Sequence, residues 1–364
     1  MPLRVSTSRQ GMLRSESDRL PNRRDILQRM VTGAFTLSAS PSRPAVGYSE
    51  STTPAWLQTD EAKWGLPNGM EFAIHPSGFG GRNGGPRGLI RIGSPVKPDR
   101  GHALVNFLAV EPVVAGQRGF SELEFSALDN TQGKRFWAEA ARISSVDAGV
   151  EQLEVPINVE PFSNGARVRL IVTQRSDAPD EIRIAVHSVS GSLPIETCIL
   201  TATMGNLTRT RRLWLRDEVV SSTQLYPQFR GDGFAPHRVY LLPRLARNAT
   251  GDVIVAVTGD EIDPAAVFPF PGSPAWHYGG VPVTQYWKVD KDSVHDDLQA
   301  AVNARYTYWK SRQPIPGGVA FENCELRTSF RDGQSFVFGV TRATPSEMKI
   351  NLRSGRDGQS TPVR

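Results

Sequence analysis

Three consecutive stretches alternate apolar and polar residues with a period of two, and this rhythm constrains the chain to sheet rather than helix through its middle. Leu153, Val155, Ile157 and Val159 form the first stretch. Val168, Leu170 and Val172 form the second, set against Arg167 and Arg169, and Ile182, Ile184 and Val186 form the third. Side chains on a strand point to opposite faces in turn, so each stretch offers one apolar face to a core. Ser163-Asn164-Gly165 lies between the first two. Asn-Gly is a strong hairpin signal because both residues tolerate positive φ. Further strand-like runs are 70–75, 87–93, 103–110, 195–203, 211–220, 237–242, 252–258, 281–287, 318–326 and 334–341, with Gly or Pro in nearly every gap. The expectation is a mostly β fold of one or two antiparallel sandwiches. At 364 residues the globular part, 70–341, is long enough for either, and two sandwiches would divide near 190–195.

One helix is expected within this β framework, near 294–312. There Leu298, Ala301 or Val302, Arg305 or Tyr306, and Trp309 recur every three or four residues. Ser293 supplies an N-cap and Pro314 a stop. A shorter helix is expected near 136–144. Residues 46–69 read as a polar linker, and the polar, Arg-rich 342–364 as a disordered tail.

The formal charge of +5 suggests nucleic acid until it is located. Residues 1–45 carry eight arginines against Glu16, Asp18 and Asp25, which accounts for all of the excess. The remaining 34 basic and 34 acidic residues cancel. A nucleic-acid binder carries its positive field on the folded part, so that partner class is excluded. The leader contains Asn22-Arg23-Arg24-Asp25-Ile26-Leu27-Gln28, followed by the mildly apolar Met30 to Ala39. This resembles the twin-arginine export consensus, with Asn22 where Ser or Thr is usual and Ile26 where Phe is usual. The resemblance implies a bacterial, extracytoplasmic protein that meets the export machinery in transit. Cys198 and Cys324 both lie in apolar strand-like stretches, and read either as two buried thiols or as a disulfide in an oxidising compartment.

Near the end, Pro316-Gly317-Gly318-Val319-Ala320-Phe321-Glu322-Asn323-Cys324-Glu325-Leu326 resembles the late strand of concanavalin-type jelly rolls. Those eleven residues imply a sugar-handling, jelly-roll-like sandwich and identify no activity.

Candidate chemistry falls in several places. Phe268, Phe270, Trp276, Tyr278, Tyr286 and Trp287 crowd a stretch broken by prolines and glycines. They read either as a sugar platform, with His277 and Gln285 bonding hydroxyls, or as rings that plug the end of a sandwich core. His237, Arg238 and Tyr240 follow a Gly-Asp-Gly stretch and supply the residue types of a uronate lyase, a base beside a cation. Strand alternation would put Arg238 and Tyr240 on one face and His237 on the other. Glu122 and Glu124, two apart, would project from one face of a strand at a spacing that suits a glycosidase carboxyl pair. Glu218 is a further acid candidate. Asp260, Glu261 and Asp263 form an acidic loop that suits either calcium or a solvated turn. No nucleotide, zinc-protease or serine-hydrolase motif is present, and no cofactor is expected beyond that calcium.

The leading expectation is an exported protein that binds poly- or oligosaccharide and cleaves glycosidic bonds with a carboxyl pair beside an aromatic platform. The alternatives are a non-catalytic glycan-binding or cell-surface protein and a uronate lyase.

Overall fold

The computed structural model describes residues 55–59, 62–74, 88–97, 101–121, 135–204, 209–259, 268–269, 277–278, 282–308 and 312–350. The twin-arginine segment lies outside them.

The described chain is mostly β, with two large antiparallel sheets packed as one sandwich. The first sheet runs in the order Leu57–Thr59, Lys63–Gly65, Glu71–Ala73, Ile90–Lys97, Gly101–Val114, Thr197–Met204, Ala320–Ser329, Gln299–Arg305, Arg238–Leu241. The second runs Val219–Ser221, Thr210–Trp214, Val253–Gly259, Thr284–Val289, Gln334–Thr341, Glu181–Ser188, Val168–Arg175, Val150–Val159, Phe136–Ala138. Strands from both sides of 190–195 share each sheet, so that stretch is a crossover within one sandwich and does not divide two.

The alternating stretches behave as their pattern requires. In Val168–Arg175 every second residue is buried, starting from Val168. Glu181–Ser188 does the same through Ile182, Ile184 and Val186. These residues meet Val110, Leu200, Leu326 and Ala300 of the first sheet in one continuous core. Trp287, with no exposed surface, fills the core between the sheets. It donates its indole N–H to the Cys324 carbonyl at 3.0 Å. The 163–165 turn forms, but only Gly165 takes positive φ (87°). Asn164 instead uses its side chain, donating to the carbonyls of Pro112 and Gln117 and accepting from the Ala166 N–H.

Four expectations are corrected. The helix near 294–312 is a strand, Gln299–Arg305, which lies between Ala320–Ser329 and Arg238–Leu241. Six of its seven residues are buried, so both faces are covered and no alternation shows. The short helix near 136–144 is also β, Phe136–Ala138 followed by Arg142–Asp147. The linker 46–69 ends earlier, since Leu57–Thr59 and Lys63–Gly65 form one edge of the first sheet and Trp64, Leu66 and Met70 are buried. Residues 342–350 of the supposed tail belong to the fold. Glu347 accepts from the Thr344 N–H and hydroxyl, and Ile350 and Met348 pack beside Tyr286 on the outer face of the second sheet. Cys198 and Cys324 are both buried and free.

Candidate functional site

The outer face of the first sheet carries an unusual concentration of buried charge. Strand register builds it. Glu325 stands opposite Thr201 on one side and Ala301 on the other, and Ala301 stands opposite Val239. One rung along, Ile199 stands opposite both Glu111 and Arg327. The intervening residues, Val110, Leu200, Leu326 and Ala300, point the other way into the core. Glu111 and Glu325 are thus carried by non-adjacent strands onto one face, with Thr201 between them.

A tight hairpin delivers the cation that joins them. Ala115 and Gly116 both take positive φ (49° and 72°), the pattern of a two-residue type I′ turn. The return strand Gln117–Arg118 pairs with Val113 and Val114 and aims Arg118 back across the face. Arg118 Nη2 donates to Glu111 Oε2, to Glu325 Oε1 at 2.9 Å and to Thr201 Oγ1 at 3.3 Å. Thr201 Oγ1 donates to Glu111 Oε2 at 2.6 Å. On the far side, Arg327 donates to Glu325 Oε2 through Nε at 2.8 Å and Nη2 at 2.5 Å. His237 Nε2 lies 3.0 Å from Glu325 Oε1, which assigns the proton to that nitrogen. The side chains of Glu111 and Glu325 are each 1% exposed, those of Arg118 and Arg327 24% and that of His237 34%. Phe120, 42% exposed, lies 5.2 Å from the Arg118 guanidinium, and exposed Val239 and Leu241 flank the face.

The two carboxyls receive unequal help. Burial raises the Glu111 carboxyl, and the Arg118 charge with the Thr201 and Arg118 hydrogen bonds only partly opposes it. Burial also works against ionised Glu325. There the His237 hydrogen bond, Arg118 and Arg327 outweigh it and bring the carboxyl down to about 2. Near neutrality Glu325 is therefore a carboxylate, and Glu111 is the member of the pair that more readily keeps a proton. Two oxygens that both bond one nitrogen stand no more than about 6 Å apart. That is too close for the longer of the two carboxyl spacings used for glycoside cleavage, about 6.5–9.5 Å.

The expected site residues scatter by comparison. His237 joins this network, while Tyr240 lies on the opposite face, half-buried against the core, and Arg238 is exposed on the edge strand. The alternation is as expected, and it separates the three lyase candidates. Tyr286 and Trp287, expected as sugar-subsite rings, are 4% and 0% exposed and belong to the packing. Tyr286 donates to Glu181 Oε1 at 2.8 Å, and its ring lies across Gly339, where an added Cβ would meet Cζ at 2.1 Å. Glu218 sits half-exposed in an ion pair with Arg244 near the second sheet and does not approach the network. His277 and Tyr278 pair with Pro269 and Phe268 in a short ladder. Glu122, Glu124, Trp276, Asp260, Glu261 and Asp263 lie outside the described residues. Among the described residues, no group of three or more His, Cys, Asp or Glu side chains could hold a metal ion.

Sequence reasoning missed Glu111 and Arg118. Glu111 had a signal, a lone acid in the apolar run Val105-Asn-Phe-Leu-Ala-Val-Glu-Pro-Val-Val. Arg118 had none, because only the hairpin register brings it there. Glu325 lay within the jelly-roll-like stretch without being singled out.

No protein-family model matches this chain, and none of the curated proteins is detectably similar to it.

Proposed function

We propose that this is an exported bacterial protein that cleaves glycosidic bonds on the outer face of the first sheet, with Glu111 and Glu325 as its carboxyl pair. The observation that carries the reading is the convergence of these two buried acids on one guanidinium, in surroundings that push their proton affinities apart. A buried ion network adds little to stability over apolar side chains of similar volume, so a network kept at a surface face is more readily explained by use. In this reading Glu111 gives its proton to the leaving oxygen, and ionised Glu325 attacks or stabilises the sugar centre. Arg118 lies over both acids, so a substrate must draw it away from one of its three acceptors. Phe120, Val239 and Leu241 offer apolar surface to the C–H face of a sugar ring.

The slight exposure of both carboxyls favours a second reading, a glycan-binding face without turnover. There Arg118, Arg327 and His237 meet the ligand and the acids only hold them in place. The lyase reading is not carried forward, because its residues point apart.

Incubating the protein with a panel of neutral and acidic polysaccharides separates these. New reducing ends support cleavage, and retention on a polysaccharide with no product supports the binding face. Neither product nor retention across the panel would overturn the carbohydrate reading altogether.

A further inference from the structure

A cavity of about 270 Å³ opens at one end of the sandwich, where the chain passes from the second sheet to the first near 290–298 and back near 330–333. Its floor includes Val289, Leu298 and Phe336, each 4% exposed or less. Its rim carries Asp292, His295, Arg331 and Asp332, and of these Asp332 is already engaged, accepting from the Ser188 N–H at 2.7 Å and facing His187 Nδ1 at 3.6 Å. The side chains of Asp292, His295 and Arg331 form no hydrogen bond or ion pair among the described residues. None of them belongs to the Glu111–Glu325 network.

The size falls just below the range of about 300–1,000 Å³ that holds drug-sized ligands, so one ring fits better than a chain. An apolar floor suits the C–H face of that ring, which would otherwise cost free energy in water. A guanidinium on the rim matches a carboxylate in a planar, two-bond arrangement that a hydroxyl cannot reproduce. The carboxylate of Asp292 and the imidazole of His295 are left to bond hydroxyls. We propose that this cavity is a second saccharide site, selective for a single uronate ring and separate from the carboxyl network. The inference does not rest on the cleavage reading, since it holds equally for an enzyme or a binding protein.

The test is calorimetric titration of the full chain with galacturonate, glucuronate, the matching neutral sugars and acetate. A uronate should bind with a dissociation constant on the order of millimolar, as befits a few contacts. It should bind at least tenfold more tightly than its neutral counterpart or acetate. Arg331→Gln should erase that preference. Ser293→Trp, on the exposed rim, should abolish binding with the melting temperature unchanged, and Glu325→Gln should leave it intact. Absence of uronate binding, equal affinity for neutral sugar or acetate, indifference to Arg331→Gln or Ser293→Trp, or loss through Glu325→Gln would each overturn the assignment.

Discussion

Replacing Glu325 by Gln should change the stability of this protein in a pH-dependent way whose sign and size follow from the network. The folded carboxyl lies at about 2, against an ordinary value of 4.5. A folded value below the unfolded one means that the unfolded chain takes up the proton first. The stabilisation is therefore complete above about pH 5 and is lost as pH falls towards 2. A depression of this size corresponds to about 3 kcal/mol, and the 1% exposure of the side chain leaves little solvent to screen it. Roughly 2 kcal/mol of that should be gone by pH 3. Glu325→Gln cannot titrate, so it should start about 3–5 kcal/mol less stable at pH 7, as expected for breaking a buried ion network. The gap to the parent protein should then narrow by roughly 2 kcal/mol between pH 6 and pH 3. Glu111 works in the opposite sense. Its raised folded value favours the protonated form, so Glu111→Gln should relieve a loss of stability that grows as pH rises from about 4. Urea unfolding at pH 6, 5, 4 and 3 measures all of this. A constant gap between parent and Glu325→Gln across that range would refute the reasoning, because Glu325 would then have the same proton affinity folded and unfolded.

Other consequences are local. Gly339→Ala forces a Cβ into the Tyr286 ring and should destabilise by about 1–3 kcal/mol or more, seen as a lower melting temperature. Ala115→Gly relieves a non-glycine residue at φ 49° in the turn that aims Arg118, and should stabilise by up to about 1 kcal/mol in the same assay. A drop in stability there would contradict the type I′ turn. Cys198 and Cys324 are fully enclosed, with the Cys198 thiol pushed up to about 12 by burial and Cys324 raised for the same reason. Neither should react with a thiol reagent in native buffer at pH 8, and both should react in denaturant without prior reduction. Finding no free thiol after unfolding would restore the disulfide.

Much of the sandwich was legible because its strands are half-buried. Val168–Arg175 and Glu181–Ser188 alternate cleanly since one side of each strand meets the core and the other is only partly covered. The reading failed where both sides are covered. Gln299–Arg305 is Ala-rich and buried throughout, and without alternation its apolar spacing imitated a helix. The strand Thr284–Val289 is likewise buried on nearly all sides, with Ile350 and Met348 packed beside Tyr286. Nothing local in the sequence announces that a segment some sixty residues later will pack beside Tyr286, or that Trp287 on the other face fills the core between the sheets, so aromatics in the packing passed for a binding platform. The same limit hid the site. Glu111 and Glu325 lie more than two hundred residues apart in sequence, and they meet only because Thr197–Met204 is inserted between their strands. His237 was legible as a chemical type, but its partner across the sheet was not.

The most direct test of the account is turnover by three proteins, the parent chain, Glu111→Gln and Glu325→Gln, on whichever polysaccharide the panel selects. Thermal unfolding run alongside confirms that each variant is folded. If the pair performs the chemistry, each substitution should lower kcat by about 10²–10⁴-fold while the polysaccharide is still bound. Full turnover by either folded variant would remove that carboxyl from the reaction and the central claim with it.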